Sequence, residues 1–414
     1  MKRILFTFVI FAIIIFIPQS VWANAKPPVV LADGAILMDA DTGKILYSKN
    51  IDKAYPPASV TKTMTALLTL ENCSLDDEVI VDSRSPLEDG SKIYIREGEK
   101  IKVKDLLYGL ILASGNDCAG ALATHIAGSP EAFAKMMNKR AKELGAKNTN
   151  FINPCGLFNS NHKTSAYDLA LIMRELIKHK EYMEISKTQS YQIAATNKQP
   201  LPRPLWNENK LIQKYSSYFY PYAQAGKTGY TIESRFSYIS YAKKGDRNLI
   251  CVILHENTKT YYPESIALFE YGFNNFEKIK LFSKGDIVSS IKIDNQDFPL
   301  TASSDFYYTR EKGNTEIPKL NVIEQDLRDK SFTKQDNILN ASIVYKGNDI
   351  GQVFLKSSKD HILKKAAAAV KQTFSYLKNI LLFILYIFLA LLTAALVIRF
   401  CNRKRSKKYK SKYR

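Results

Sequence analysis

Residues Pro56–Glu71 read PPASVTKTMTALLTLE. Two prolines lead into small, helix-tolerant residues, and apolar side chains then fall at Met64, Leu67, Leu68 and Leu70, as on one face of a helix. The pattern predicts a helix beginning near Ser59, with Ser59 and Lys62 three apart on a shared face of its first turn. A free serine hydroxyl is a poor nucleophile until a neighbouring base takes its proton. Lysine serves as that base only where burial or nearby cations lower its pKa, because an ammonium has no lone pair to offer. The N-terminus of a helix adds backbone N–H groups able to steady an oxyanion. By itself Ser-x-x-Lys is common on solvated helix faces and decides nothing.

Two further triplets give it weight. Ser114–Asn116 reads SGN, between two helical patterns, and Lys227–Gly229 reads KTG, at the start of a pattern expected for an edge strand. In order, the three form the signature of penicillin-recognising serine enzymes. Around them the chain resembles the D-alanyl-D-alanine carboxypeptidases, low-molecular-weight penicillin-binding proteins of serine peptidase family S11. The likeness is carried by PASVTKTMTALLTLE, GSKIYIREGE, LLYGLILASGNDCAGALA, NPCGLFNSNHKTSAYDLALIMREL and AGKTGYT. It runs strongly over residues 30–275 and more weakly over the β-rich stretch beyond.

The resemblance implies a set of roles. Ser59 attacks the carbonyl of the penultimate D-Ala and carries the acyl group, and Lys62 is its general base. Ser114 relays a proton toward the leaving amine, while Asn116 holds the substrate amide and the lysine. Lys227 supplies positive potential, Thr228 orients the substrate carboxylate, and the backbone N–H groups of Ser59 and Tyr230, beside Gly229, form the oxyanion hole. The implied substrates are peptidoglycan stem peptides ending in D-Ala-D-Ala, with β-lactams as covalent inhibitors. The chain departs from the family at HENTKTYYPES (255–265), which lacks the usual glycines and arginine, and at Arg235, where a small residue is usual. A β-lactamase or transpeptidase with the same nucleophile, or a catalytically slow cell-wall binding protein, are the competing readings. No Glu-x-x-Leu-Asn stretch supplies a deacylating glutamate, which disfavours the first of these.

The expected architecture is α/β of the α+β kind: a β-lactamase/transpeptidase-like domain with an antiparallel sheet and a helical cluster. Gly34–Asn50 turns at Asp41-Thr42-Gly43 as a hairpin, helices follow, and strands return after residue 225 around a Lys-Gly-Asp turn. Ser129 before Pro130, and Ser165 three residues before Asp168, read as helix caps. Residues 26–275 are expected to form the catalytic domain and 276–360 a small all-β domain, with 361–378 a membrane-proximal helix.

Both ends carry membrane signals. Residues 1–25 have a basic start, an apolar run from Ile4 to Ile17 and a small-residue exit, the order of a signal peptide. Asn379–Ile398 is an uncharged apolar run of spanning length, and residues 399–414 hold nine Lys/Arg and no acid, a tail expected to stay cytoplasmic. That tail supplies nine of the nineteen net positive charges. The remaining basic charge is scattered and no nucleic-acid motif accompanies it, so a nucleic-acid partner is not expected. The five histidines show no metal-ligand spacing, no metal or cofactor is expected, and the five cysteines form no CxxC pair.

Overall fold

The computed structural model describes residues 26–410. The signal-peptide segment lies outside them. By compactness the described chain divides into two units, one running through Lys280 and including Tyr307–Glu316, the other comprising Leu281–Phe306 and the chain from Ile317 onward.

In the first unit, β1 (Gly34–Asp39) and β2 (Ile45–Lys49) form the hairpin anticipated around Asp41-Thr42-Gly43. A 3₁₀ turn (Ala58–Thr61) runs into α1 (Lys62–Asn72). The ribbon β3 (Glu78–Ile80) and β4 (Lys100–Lys102) precedes α2 (Val103–Leu112), α3 (Asn116–Ala127), α4 (Pro130–Glu143), α5 (Ala166–Leu176) and α6 (Lys180–Lys187). Ser129 and Ser165 cap α4 and α5, their hydroxyls accepting from the N–H groups of Ala132 and Asp168. After the ribbon β5 (Ser190–Ile193) and β6 (Arg203–Trp206) come β7 (Ala223–Thr231), β8 (Arg235–Lys244), β9 (Arg247–Glu256) and α7 (Tyr261–Asn275).

The main sheet is antiparallel in the order β2-β1-β9-β8-β7. Both of its faces are covered, and that explains the unbroken apolar run Leu249–Leu254 in the central strand β9, which is buried throughout. Alternate residues serve different layers. Ile36, Met38, Ile250 and Val252 join the core under α1–α6, whereas Ala35, Leu37, Leu249, Cys251 and Ile253 pack with Leu268, Phe269 and Phe273 of α7. Strand β7 closes one edge of the sheet and lies against the 3₁₀ turn.

Strand β10 (Phe276–Phe282) pairs with β13 (Phe306–Glu311). The second unit is built on an antiparallel sheet from β11 (Ile287–Ile293), β12 (Gln296–Ala302), β14 (Lys319–Ile323), β15 (Asn337–Tyr345) and β16 (Asn348–Ser357), ordered β11-β12-β16-β15-β14. Strand β15 shows the alternation of a sheet with one covered face: Leu339, Ala341, Ile343 and Tyr345 are buried. The two-residue turn Lys346-Gly347 that follows has positive φ at both positions, the twist that suits a tight hairpin. Finally α8 (Lys364–Lys410) is one continuous helix whose Val370–Arg403 stretch is long and apolar enough to cross a membrane. Large apolar side chains from Ile380 to Phe400 are exposed along it.

Candidate active site

The expected helix start is in fact a 3₁₀ turn, and the difference helps the chemistry. Residues i and i+3 eclipse in a 3₁₀ helix, so Ser59 and Lys62 stand one above the other. Lys62 Nζ lies 2.9 Å from Ser59 Oγ, 2.6 Å from Asn116 Oδ1 and 2.9 Å from the Cys155 carbonyl. The amine is fully buried, and burial pulls its pKa down from the ordinary lysine value to about 8 against the opposing pull of neighbouring anionic groups. Ser59 itself remains partly accessible.

The turn is held from two sides by close backbone approaches. Ala58 has a left-handed φ of 52° immediately before Ser59, a conformation costing a non-glycine residue about 1–2 kcal/mol. Gly156, itself at φ 89°, sits against the Ala58 carbonyl, where any side chain would collide. From the other side comes β7: a Cβ at Gly229 would lie 2.9 Å from Ser59 N and 3.0 Å from the Pro57 carbonyl oxygen. The glycine of KTG is therefore the contact that lets the edge strand pass beside Ser59.

KTG lies in the middle of β7 rather than at its start. Ala223-Gln224-Ala225 carry little strand signal of their own, but pairing with Tyr241 and Ala242 of β8 extends the strand upstream. Lys227 is buried, its Nζ donating to the Thr228 carbonyl at 3.0 Å, and burial followed by the Lys62 ammonium lowers its pKa to about 7 despite the Glu208 carboxylate. Thr228 is half-buried and Gly229 buried, while Tyr230 is 55% exposed with its ring 4.6 Å from that of Phe236.

The SGN segment joins α2 to α3. Ser114 is buried with φ 59°, and its hydroxyl makes no hydrogen bond among the described residues. Asn116 opens α3, but no side chain caps that helix, so SGN is not a capping motif. Asn116 Nδ2 donates to the Asp89 carbonyl, which fixes the amide so that Oδ1 faces Lys62.

Several supporting residues escaped the sequence reading. Asp117 is fully buried, and its carboxylate accepts from the backbone N–H groups of Ile93 and Ile95 at 3.1–3.2 Å, tying the GSKIYI stretch to the start of α3. An acid in the first turn of a helix was the available signal. His162 Nδ1 accepts from Ile152 N at 3.2 Å, so Nε2 carries the hydrogen directed at Thr61 Oγ1, 3.0 Å away. Burial alone holds His162 down at about 4. The Cys155 carbonyl could not be anticipated, because a backbone acceptor leaves no mark in side-chain identity.

The 255–265 departure is absorbed structurally. His255 adopts φ 57°, which suits glycine, and its ring is held by Asp33 at 2.7 Å and by stacking on Tyr55. Glu256 is buried at the end of β9 beside the Thr260 hydroxyl. Burial, with Glu264 adding to it, raises its carboxyl to about 7. Arg235 also has positive φ, at 54°, at the first position of β8, paired with Thr231 across the turn.

Comparison with known proteins agrees with this geometry. The D-alanyl-D-alanine carboxypeptidase (peptidase S11) family model matches residues 22–258, and the model for the C-terminal domain of penicillin-binding protein 5 matches 276–362. The D-alanyl-D-alanine carboxypeptidase DacF of Bacillus subtilis is 34% identical over 386 residues, covering 89% of this chain and 94% of that protein. Among solved structures, penicillin-binding protein 5 from Haemophilus influenzae aligns with a TM-score of 0.67 at 30% identity, over 81% of this chain and 99% of the other. The D-alanyl-D-alanine carboxypeptidase from Mycobacterium tuberculosis aligns with a TM-score of 0.57 at 29% identity, over 61% and 95%. The chain belongs to the D-alanyl-D-alanine carboxypeptidase family and is a serine peptidase of the bacterial cell wall.

Proposed function

We propose that Ser59 is the acylated nucleophile and Lys62 its base, acting on peptidoglycan stem peptides ending in D-Ala-D-Ala. One observation carries the assignment. Of the three oxygens around Lys62 Nζ, Asn116 Oδ1 and the Cys155 carbonyl can only accept, whereas Ser59 Oγ can also donate. A neutral amine has two hydrogens and one lone pair. With both hydrogens committed to the pure acceptors, the lone pair points at the serine O–H.

The remaining roles follow from the surroundings. As the Ser59 Oγ–carbon bond forms, the hydroxyl proton passes to Lys62 and charge develops on the carbonyl oxygen beside the N–H groups of Ser59 and Tyr230. When the carbon–nitrogen bond breaks, Ser114 hands a proton from the lysine side to the departing D-Ala amine. Water then attacks the ester and restores the serine. Lys227 and Thr228 hold the substrate carboxylate, which in turn favours the charged form of Lys227. A β-lactam carrying a carboxylate follows the same path as far as a slowly hydrolysed adduct on Ser59.

The apolar stretch of α8 is the membrane anchor, the nine cations after Ile398 remain cytoplasmic, and the catalytic unit faces the cell wall. The full chain in detergent is expected to release D-Ala from a D-Ala-D-Ala peptide and to be labelled covalently by fluorescent penicillin at Ser59. Ser59→Ala is expected to lose both. Labelling without D-Ala release would favour the slow-binding reading, and rapid penicillin turnover would favour a β-lactamase.

A further inference from the structure

Where α1 ends, the sequence places a half-buried cysteine, Cys73, whose backbone N–H closes the helix on the Thr69 carbonyl at 3.0 Å. Four residues on, Asp77 is fixed at three points: its N–H reaches the Ser74 carbonyl, its Oδ2 accepts from Ser74 N at 2.8 Å, and its own carbonyl takes the N–H of Val103. The last turn of α3 brings up His125, exposed to solvent. One donor atom from each of Cys73, Asp77 and His125 lies within 4.8 Å of the other two, the one such group among the described residues.

We propose that Cys73, Asp77 and His125 form a binding site for a borderline-soft divalent cation, Zn²⁺ in the first instance. The donor set decides the class. One sulfur, one imidazole nitrogen and one carboxylate oxygen match zinc, whereas calcium and magnesium take oxygen ligands. Zinc bonds of about 2.0–2.3 Å place tetrahedral ligand atoms roughly 3.3–3.8 Å apart, so small rotations of two exposed side chains close the set. The fourth position faces solvent and takes a water molecule. Burial and the Asp77 carboxylate raise the Cys73 thiol pKa, so the thiol is protonated in the free protein and the cation must displace that proton. Binding transfers the thiol proton to solvent and leaves a thiolate on the metal.

The site lies at the far ends of α1 and α3 from the reaction centre. The near ends of those helices carry Lys62 and Asn116, bonded to each other at 2.6 Å. A metal here is a staple between the two helices, about 14–17 Å along them from Lys62 and Asn116 at about 1.5 Å per residue. It is expected to raise thermal stability by mass action and to take no part in acyl transfer. The inference stands apart from the hydrolase assignment.

The test uses the full chain in detergent, reduced and stripped of metal, titrated with Co²⁺ as a spectroscopic substitute for zinc. The expected result is one cobalt per chain, with the strong visible absorption of a tetrahedral site and a thiolate-to-cobalt charge-transfer band. Cys73→Ser should abolish that band, His125→Ala should weaken binding about tenfold or more, and Cys401→Ser should change neither. Zinc should slow alkylation of Cys73 and raise the Tm of the parent but not of the variants. Unaltered penicillin labelling of each variant shows that it is folded. An absent or octahedral cobalt spectrum, or a charge-transfer band that survives Cys73→Ser, overturns the proposal.

Discussion

Lys62 Nζ has three oxygen neighbours, of which only the Ser59 hydroxyl can donate to it, so under the proposed mechanism its protonation state governs the rate. With its pKa lowered to about 8, acylation measured as kcat/KM is expected to climb as pH rises through that value. Lys62→Ala should slow penicillin acylation by about 10²–10⁴-fold while leaving the fold intact. A pH-independent rate between 6 and 9 would remove Lys62 from the role of base. His162 gives a stability prediction of the opposite kind. Its folded pKa of about 4 lies below the ordinary value of 6.5, so between those pH values the unfolded chain binds a proton that the folded chain refuses. Stability is therefore complete above about pH 6.5 and falls as pH drops toward 4, by up to about 3 kcal/mol. Denaturant melts across that window should show the slope in the parent and a flatter line in His162→Gln. The contact of Ser59 with Lys62 was legible because their spacing of three puts them on one face of a helical turn. Asp117, His162 and the Cys155 carbonyl were not, because each acts by holding another group.

Strand β7 and the 3₁₀ turn meet through glycine, and two alanine substitutions should separate position from stability. Gly229→Ala pushes a methyl group onto Ser59 N and the Pro57 carbonyl, moving the nucleophile relative to the strand. Acylation is expected to fall by about 10²-fold, the effect of a displacement near 1 Å, with a small change in Tm. Gly156→Ala forces a side chain into a left-handed backbone position against Ala58, and a stability loss of about 1–3 kcal/mol is expected in calorimetry. If Gly229→Ala acylates normally, the close approach of β7 is not what positions Ser59. At this scale the sequence was read well where local rules apply: the Ser129 and Ser165 caps, the hairpin at Asp41-Thr42-Gly43, the turn at Gly245. It was read less well where a partner strand decides. The upstream extension of β7 pairs with β8, and the 3₁₀ turn lies against Gly156 and Gly229, both distant in sequence.

The whole molecule combines a sheet buried on both faces, a separate β-rich unit and one long apolar helix. A chain ended after Leu363 retains the bridge between Phe332 and His361 while losing the helix. It is expected to stay in aqueous solution and to be acylated by penicillin as fast as the full chain, while the full chain floats with lipid vesicles. A truncated chain that still floats would move the anchor elsewhere. The sequence alone determined the family, because SxxK, SGN and KTG in helix-start, loop and strand contexts form a signature that local text carries by itself. It also determined the spanning helix, since hydrophobicity over that length needs no partner to be recognised. Only tertiary structure decided the surroundings of Lys62: burial that lowers its pKa to about 8, a carbonyl and an amide oxygen that accept from its amine, and glycines that admit β7. Those effects depend on groups distant in sequence, as does the meeting of His125 with Cys73 and Asp77. A linear reading orders residues along the chain, whereas desolvation and close approach arise only once the chain has folded back on itself.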